Sequence, residues 1–582
     1  MLQQLFHITI ISLICVLWGI PMFLALKITI DKDDFWYRSP AGLLSFLFFL
    51  GCITISLISS WVGLVAPLRF SYLLFGTVIP VSYLFLFRRK KIKQIFRDAF
   101  KNNFSYSAVH ISFLFLAVCL FLLLSSLAPV NGDTQIYHLQ VIRWQHEYGT
   151  VPGIANLYPR LGLNSNWLNL ISLFYWPSLT SENFTYLNAT FVIWFFTWLF
   201  STWHFHFKNL SIKKGSGVLS LFYFLLILYG LFDWQLFRDA ANSTNFDFAV
   251  IAFLLMIFSY FIEGIFERNG KTSLSPGLLL FAFALIGFKF SGIFIILLIV
   301  YYLFDQRRFL NWILVGSIAC LFLIPVFIRN YITSGYPFFP GTFAIAAPDW
   351  QLPGLMAEKF YRYILLSNKF YNHRLSFAYN FHLTAFNWIP FWIHGILLKH
   401  KVILGLSLLS FVFLFVKPPL TTNRGKLRQL IVVLFLMIAA WFFSAPDPGR
   451  FGYGMLLTSA FLFVSLVLQP FFNPKIFNPV LVITMLIMCY YIFEKSDRLS
   501  VSRYWAVPVP MVTPSYRAVK LDGLELHLPN RIRDNSDYRC YFTPLPCITQ
   551  ENPYLRPRGE SLKQGFRMQP HPDSNFILNY NY

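Results

Sequence analysis

About fourteen apolar stretches, most of them long enough to cross a hydrocarbon layer ~30 Å thick, follow one another along this chain with only short polar breaks. Such a chain must satisfy its backbone hydrogen bonds inside helices, because lipid offers no partner. It is expected to be an all-α polytopic membrane protein with about 12–14 transmembrane segments. Composition agrees: 57% hydrophobic and 12% charged residues over 582 positions, with a mean hydropathy of +0.57, leave too little polar surface for a soluble fold. The net charge of +22 would suit a nucleic-acid partner. The basic residues, however, gather in the short breaks between apolar runs, which is the positive-inside pattern, so no nucleic-acid partner is expected.

The densest basic run, Arg88, Arg89, Lys90, Lys91, Lys93, Arg97 and Lys101, assigns residues 88–107 to the cytoplasm. Parity then places residues 129–182 outside as a long first loop and returns the chain to Lys208, Lys213 and Lys214 inside. Residues 277–304 are apolar apart from Lys289, yet Arg268 and Lys271 before them and Arg307 and Arg308 after them all favour the cytoplasm. Two half-spans folded at 287–292 satisfy both flanks and put Lys289 at the outer tip; one ordinary span with a snorkelling lysine is the alternative. A second outer loop is expected at 335–385. The first segment, near 6–26, has no basic start and no small-residue cleavage site, so it is expected to be a retained span.

The chain divides into 1–107, 108–494 and a tail from 495 to 582. From Trp505 the tail holds ten prolines and short alternating stretches, as in a small loop-rich outer domain or appendage. Five of the seven cysteines lie in apolar runs. Cys540 and Cys547 lie close together in the tail and can form a disulfide if it faces an oxidising compartment.

Charges at helix ends inside lipid are costly without partners, and Asp133, Asp247, Lys289, Arg329 and Arg450 all fall toward the same side. After Gly132-Asp133-Thr134, Tyr137, Val141, Trp144 and Tyr148 form one helical stripe, predicting an amphipathic helix on the membrane surface. Asp133 or Thr134 would be its N-cap, and capping competes with a catalytic use of Asp133. Asp247 opens another span, where Asn242, Thr244 and Asn245 already offer caps. Lys289, Arg329 and Arg450 are each suited to anchoring a lipid headgroup; together, facing two carboxylates, they suit a lipid phosphate. His138, His373 and His382 are also outside but show no metal-ligand spacing, so no metal site is expected. No Gly-rich phosphate loop occurs and the cytoplasmic segments are short, so an activated donor has to come from the membrane.

Gly132-Asp133, Tyr137-His138-Leu139, Trp144, Gly149 and Pro152 are followed by Asn245-Phe246-Asp247, Lys289-Phe290-Ser291, Arg329-Asn330-Tyr331 with Gly335, Pro337 and Pro340, and Gly449-Arg450-Phe451. In order and sidedness this series resembles the GT-C class of membrane glycosyltransferases, which includes protein O-mannosyltransferases and the bacterial aminoarabinose transferase, and especially its uncharacterised bacterial branch. The resemblance covers roughly residues 108–470, and the Cys540–Cys547 tail is similar to that of the bacterial branch. It implies Asp133 as catalytic base and Lys289 and Arg450 as contacts to a lipid-linked phosphate. His138, Asp247 and Arg329 join them as expected substrate-binding residues. No second acidic residue stands beside Asp133, so a divalent metal, though chemically possible, is not indicated.

The leading expectation is therefore a glycosyltransferase of the bacterial plasma membrane, with active site and C-terminus extracytoplasmic. It would move a sugar from a polyprenyl-phosphate carrier to a glycan, lipid or protein acceptor. A transporter or flippase of lipid-linked sugars, and a non-catalytic protein of envelope polysaccharide assembly, are the alternatives.

Overall fold

A computed structural model describes residues 1–26, 39–101, 106–177, 183–210, 215–267, 276–306, 309–371, 381–416, 423–499, 503–530 and 539–580. The protein is mostly helical, with two small hairpins near the C-terminus. Among the described residues nine helices are long and apolar enough to cross a membrane, or eleven if two sharply bent pairs each count as one span. The bent pairs are Ser216–Phe232 with Trp234–Ala241, at 68°, and Ile389–Gly395 with Leu398–Val412, at 119°. The count is below 12–14 for physical reasons. Helix Tyr186–Lys208 is long enough to cross but carries Trp, Tyr, Thr and His throughout, which lowers its apolarity. The 277–304 stretch is broken into Pro276–Phe288 and Phe290–Phe304, each too short to span ~30 Å at ~1.5 Å per residue. Its basic flanks at 268–275 and 307–308 lie outside the described residues, as does His373.

Helix Asp247–Glu267 is the most enclosed of the candidate spans: every residue of its most apolar window is buried. That all-round burial follows from a sequence that is apolar on every face from Phe248 to Phe258. Its far end is braced by Glu263, which accepts from His206 Nε2 at 2.8 Å and from the Tyr223 hydroxyl at 2.9 Å. Helices Leu2–Leu26 and Pro40–Val62 cross with their backbones in contact. A Cβ on Gly19 would lie 1.8 Å from Leu47 O and one on Gly51 1.7 Å from Cys15 O, so only glycine fits.

The helix following Asp133 begins with a π-helical turn, Thr134–His138, and continues as Leu139–Glu147. It differs from an amphipathic helix lying on a surface, because Tyr137, Val141 and Trp144 are buried but so are Leu139, Gln140 and Ile142 on the other faces. The tail supplies the second cover. Gln140 Nε2 donates to Thr543 O at 3.0 Å, Arg143 Nη1 donates to the same oxygen at 2.7 Å, and Tyr541 N donates to Gln135 O at 2.9 Å. Cys540 and Cys547 are disulfide-bonded across this segment.

In the tail, β1 (Tyr516–Leu521) pairs antiparallel with β2 (Leu524–Pro529) through a two-residue turn. Asp522 and Gly523 there have φ of 47° and 82°, the left-handed pair such a hairpin requires. The second hairpin, β3 (Leu555–Pro557) and β4 (Phe566–Met568), docks on the first loop, where Phe566 N donates to Pro152 O at 3.1 Å and Asn156 Nδ2 to Phe566 O at 3.2 Å. Lys359 Nζ donates to Ile577 O at 2.6 Å. The tail is thus knitted into the helical body along much of its length rather than appended to it.

Candidate functional site

Asn131, not Asp133 or Thr134, caps the helix: its Oδ1 accepts from Thr134 N at 3.1 Å, while the Asp133 side chain makes no capping bond. Capping is therefore met by a neighbour and the Asp133 carboxylate is left for other partners. Thr134 Oγ1 accepts from Thr244 N at 3.2 Å and from Thr244 Oγ1 at 3.0 Å, tying this helix start to the turn before Asp247. Asn245 Oδ1 in turn accepts from Asp247 N at 3.0 Å, so Asp247 also escapes capping duty.

Lys289 sits in extended conformation (φ −155°, ψ 129°) at the break between the two short apolar helices. The break is stabilised from outside, since Ser165 Oγ donates to the freed Phe288 carbonyl at 2.7 Å. Arg450 lies in a π-helical turn, Pro448–Gly452, whose N-cap is Asp447. Four residues from separate segments consequently meet. Lys289 Nζ pairs with Asp247 Oδ1; Arg450 Nε donates to Asp247 Oδ2 at 2.8 Å and Arg450 Nη2 to Asp133 Oδ2 at 2.5 Å. The Lys289 ammonium also lies 4.0 Å from the Phe451 ring centroid and 5.0 Å from that of Phe246.

A fifth member, Arg160, is not among the residues singled out from sequence. Its Nη1 lies 3.7 Å from Asp133 Oδ1 and its Nη2 donates to the Tyr363 hydroxyl at 2.9 Å. Apart from Arg143 it is the one lysine or arginine in 129–182, and that scarcity was the available signal. Burial alone would raise the Asp133 pKa, but the Arg450 and Arg160 charges outweigh it and hold the carboxyl well below its ordinary range.

The cluster opens on a cavity of about 330 Å³. Asp133, Asp247 and Arg450 line it together with Asn131, Asp239, Trp234 and Gln235, which sequence reasoning did not select. The turn packs on the Gln235 amide, which a Cβ at Gly449 would approach to 2.7 Å. Among the described residues no three His, Cys, Asp or Glu side chains converge as metal ligands.

The sequence reading puts His138 and Arg329 against substrate; the structure places both elsewhere. His138 is fully buried beneath the cluster, with Nδ1 3.0 Å from Thr244 Oγ1, and burial pushes its pKa down to about 4. Arg329 is also fully buried, donating to Ser60 O at 2.7 Å and Asn166 Oδ1 at 3.2 Å. A guanidinium on the inward face of a helix takes the nearest carbonyls, and here those join Pro40–Val62 to the start of Asn166–Phe174. His382 is exposed.

The family model described as a domain of unknown function, DUF8201, matches residues 1–457. The chain belongs to the DUF8201 family. The DUF8201 match takes in Asp133, Arg160, Asp239, Asp247, Lys289 and Arg450, so the whole cluster and the lining residues beside it fall within the family region, while the docked tail lies beyond it. No curated protein and no solved structure matches the chain.

Proposed function

We propose that this protein is a GT-C-like membrane glycosyltransferase that moves a sugar from a polyprenyl-phosphate carrier to an acceptor hydroxyl outside the cytoplasm. The observation that carries the reading is the position of Arg450, bridging Asp133 and Asp247 at the rim of a polar cavity with Lys289 beside it. These are the residues the resemblance implies for base and phosphate contacts, brought together from segments far apart in the chain. The cations are engaged by carboxylates until a phosphate competes for them.

When the donor phosphate enters, Arg450 and Lys289 turn from their carboxylates to its oxygens, and Asp133 is relieved of the larger of the two guanidinium charges that depress its basicity, Arg160 remaining beside it. The acceptor oxygen then forms a bond to the anomeric carbon as the bond from that carbon to the phosphate oxygen breaks. Asp133 takes the hydroxyl proton, and the departing phosphate keeps the electron pair, held by Arg450 and Lys289. Arg450 suits this exchange, because its side chain is 38% exposed while that of Asp247 is 5% exposed.

The basic helix Arg89–Lys101 supports a cytoplasmic assignment for that end of the chain, and the Cys540–Cys547 disulfide supports an oxidising compartment for the tail. The test is release of polyprenyl phosphate from radiolabelled polyprenyl-phosphate sugars by purified protein with crude envelope acceptor, wild type against Asp133→Asn. Release by wild type alone is expected. Release by both proteins would remove Asp133 as base, and movement of the lipid-linked sugar across a vesicle membrane without release would replace the transferase by a transporter.

A further inference from the structure

Asp133 and Asp247 are both matched by cations; Asp239, which lines the same cavity, has no such partner among the described residues. Its Oδ2 accepts from Asn131 Nδ2 at 3.2 Å, and among the described residues its Oδ1 has no hydrogen-bond or ion-pair partner. The adjacent Arg238 donates to Phe232 O at 2.8 Å, and its guanidinium lies between the Trp234 and Tyr491 rings, 5.3 Å and 5.1 Å from their centroids, rather than pairing with Asp239. A half-buried carboxylate with one amide partner retains acceptor capacity, and leaving that capacity unmet inside a ligand-filled cavity is costly. A ligand supplying O–H donors meets it.

Two neighbours favour a sugar ring. Trp234, whose ring centroid lies 5.3 Å from the Arg238 guanidinium, lines the cavity and keeps 39% of its surface exposed, setting aromatic surface beside polar acceptors. Asn131 is used at both ends of its amide, capping the Asp133 helix and donating to Asp239, so the distance between the reacting carboxylate and Asp239 is fixed by one side chain. The 330 Å³ volume is near the lower end for ligand pockets and suits one ring rather than an oligosaccharide.

We infer that Asp239, positioned by Asn131 and flanked by Trp234, is the subsite that accepts hydroxyl hydrogens of a single transferred sugar ring. The inference rests on the transferase reading above. It assigns sugar recognition to Asp239 and phosphate recognition to Arg450 and Lys289, so the two are separable by ligand.

The experiment measures displacement of radiolabelled polyprenyl phosphate from the full-length protein in detergent by unlabelled polyprenyl phosphate and by polyprenyl-phosphate glucose, mannose, galactose, N-acetylglucosamine and arabinose. Wild type is expected to bind at least one sugar-bearing lipid more tightly than the bare lipid. Asp239→Asn is expected to lose that increment, by about 10- to 100-fold for one charge-assisted hydrogen bond, while holding the bare lipid as wild type does. Trp234→Leu is expected to shrink the same increment. An increment that survives in Asp239→Asn, an absence of any increment in wild type, or an equal loss of bare-lipid binding in Asp239→Asn would each overturn the assignment. Failure of wild type to bind even bare polyprenyl phosphate would instead overturn the transferase reading beneath it.

Discussion

Arg450 and Asp133 stand 317 positions apart in the chain, yet Arg450 Nη2 donates to Asp133 Oδ2 at 2.5 Å. Because the same guanidinium holds Asp247 through Nε at 2.8 Å, the resting site is a closed set of ion pairs. A carboxylate so paired is a poor base, and a cation so paired is a poor phosphate ligand. On the proposed transferase reading, turnover requires an exchange of partners, and the exchange has measurable signs.

Asp133→Asn removes the carboxylate competing with phosphate for Arg450. Transfer is expected to fall by about 10²- to 10⁴-fold, the usual contribution of a general base. Binding of bare polyprenyl phosphate is expected to stay equal to wild type or tighten. Weaker lipid binding in this variant, measured by displacement in detergent, would show that Asp133 helps to hold the phosphate and would sink the exchange.

Asp247 is nearly enclosed and carries two cations, so removing it strands charge. Asp247→Asn is expected to destabilise the folded protein by about 3–5 kcal/mol, the range for breaking a buried pair. Lys289→Met on that background should recover part of the loss, since it removes one stranded ammonium. Thermal unfolding in detergent across the four members of the cycle tests this. Simple additivity would mean the pair is not energetically coupled.

The helical membrane class was legible because burial in lipid leaves a one-dimensional record in apolar runs. So were Asp133, Asp247, Lys289 and Arg450, since an ionisable residue at the edge of such a run is rare. Arg329 has the same record and a different role, because spacing does not say which helix face turns toward Ser60 and Asn166 rather than toward the cavity. Asp239 and Trp234 were hidden at the 68° bend that follows Ser216–Phe232, where polar residues read as an ordinary loop. The cover over the Asp133 helix was not legible at all. It depends on tail carbonyls at Tyr541 and Thr543, and a backbone acceptor leaves no mark in residue type.

Two groups in the first loop lose stability with acid in different pH windows. The His138 pKa is lowered from 6.5 to about 4, so between those values the unfolded chain binds the proton and the folded one does not. Stability is therefore expected to fall as pH drops from 6.5 toward 4, and His138→Gln should flatten that slope. Asp133 is depressed below 3.8, so its stabilising contribution is complete above that value and is lost only as pH falls further through its folded pKa. Asp133→Asn should leave the slope above pH 5 unchanged. Chemical unfolding at a series of pH values separates the two, and a His138→Gln protein that keeps the wild-type slope would contradict the burial of a neutral imidazole.

The disulfide-bearing tail holds the helix that presents Asp133. Gln140 and Arg143 both donate to Thr543 O, three residues beyond Cys540, and Arg539 Nη1 donates to Gln135 Oε1 at 2.7 Å just before it. Opening the Cys540–Cys547 loop is expected to cost about 2–4 kcal/mol and to loosen residues 132–147. Cys540→Ser with Cys547→Ser should then show faster amide hydrogen exchange in that helix and a reduced transfer rate, while the Asp247–Glu267 helix, buried along its length, keeps wild-type protection. Deletion of residues 505–582 should be harsher, because it also removes the Phe566 and Ile577 contacts to the first loop and to Lys359. Full transfer by the double serine protein, with unchanged exchange in 132–147, would show that the tail covers the Asp133 helix without positioning it.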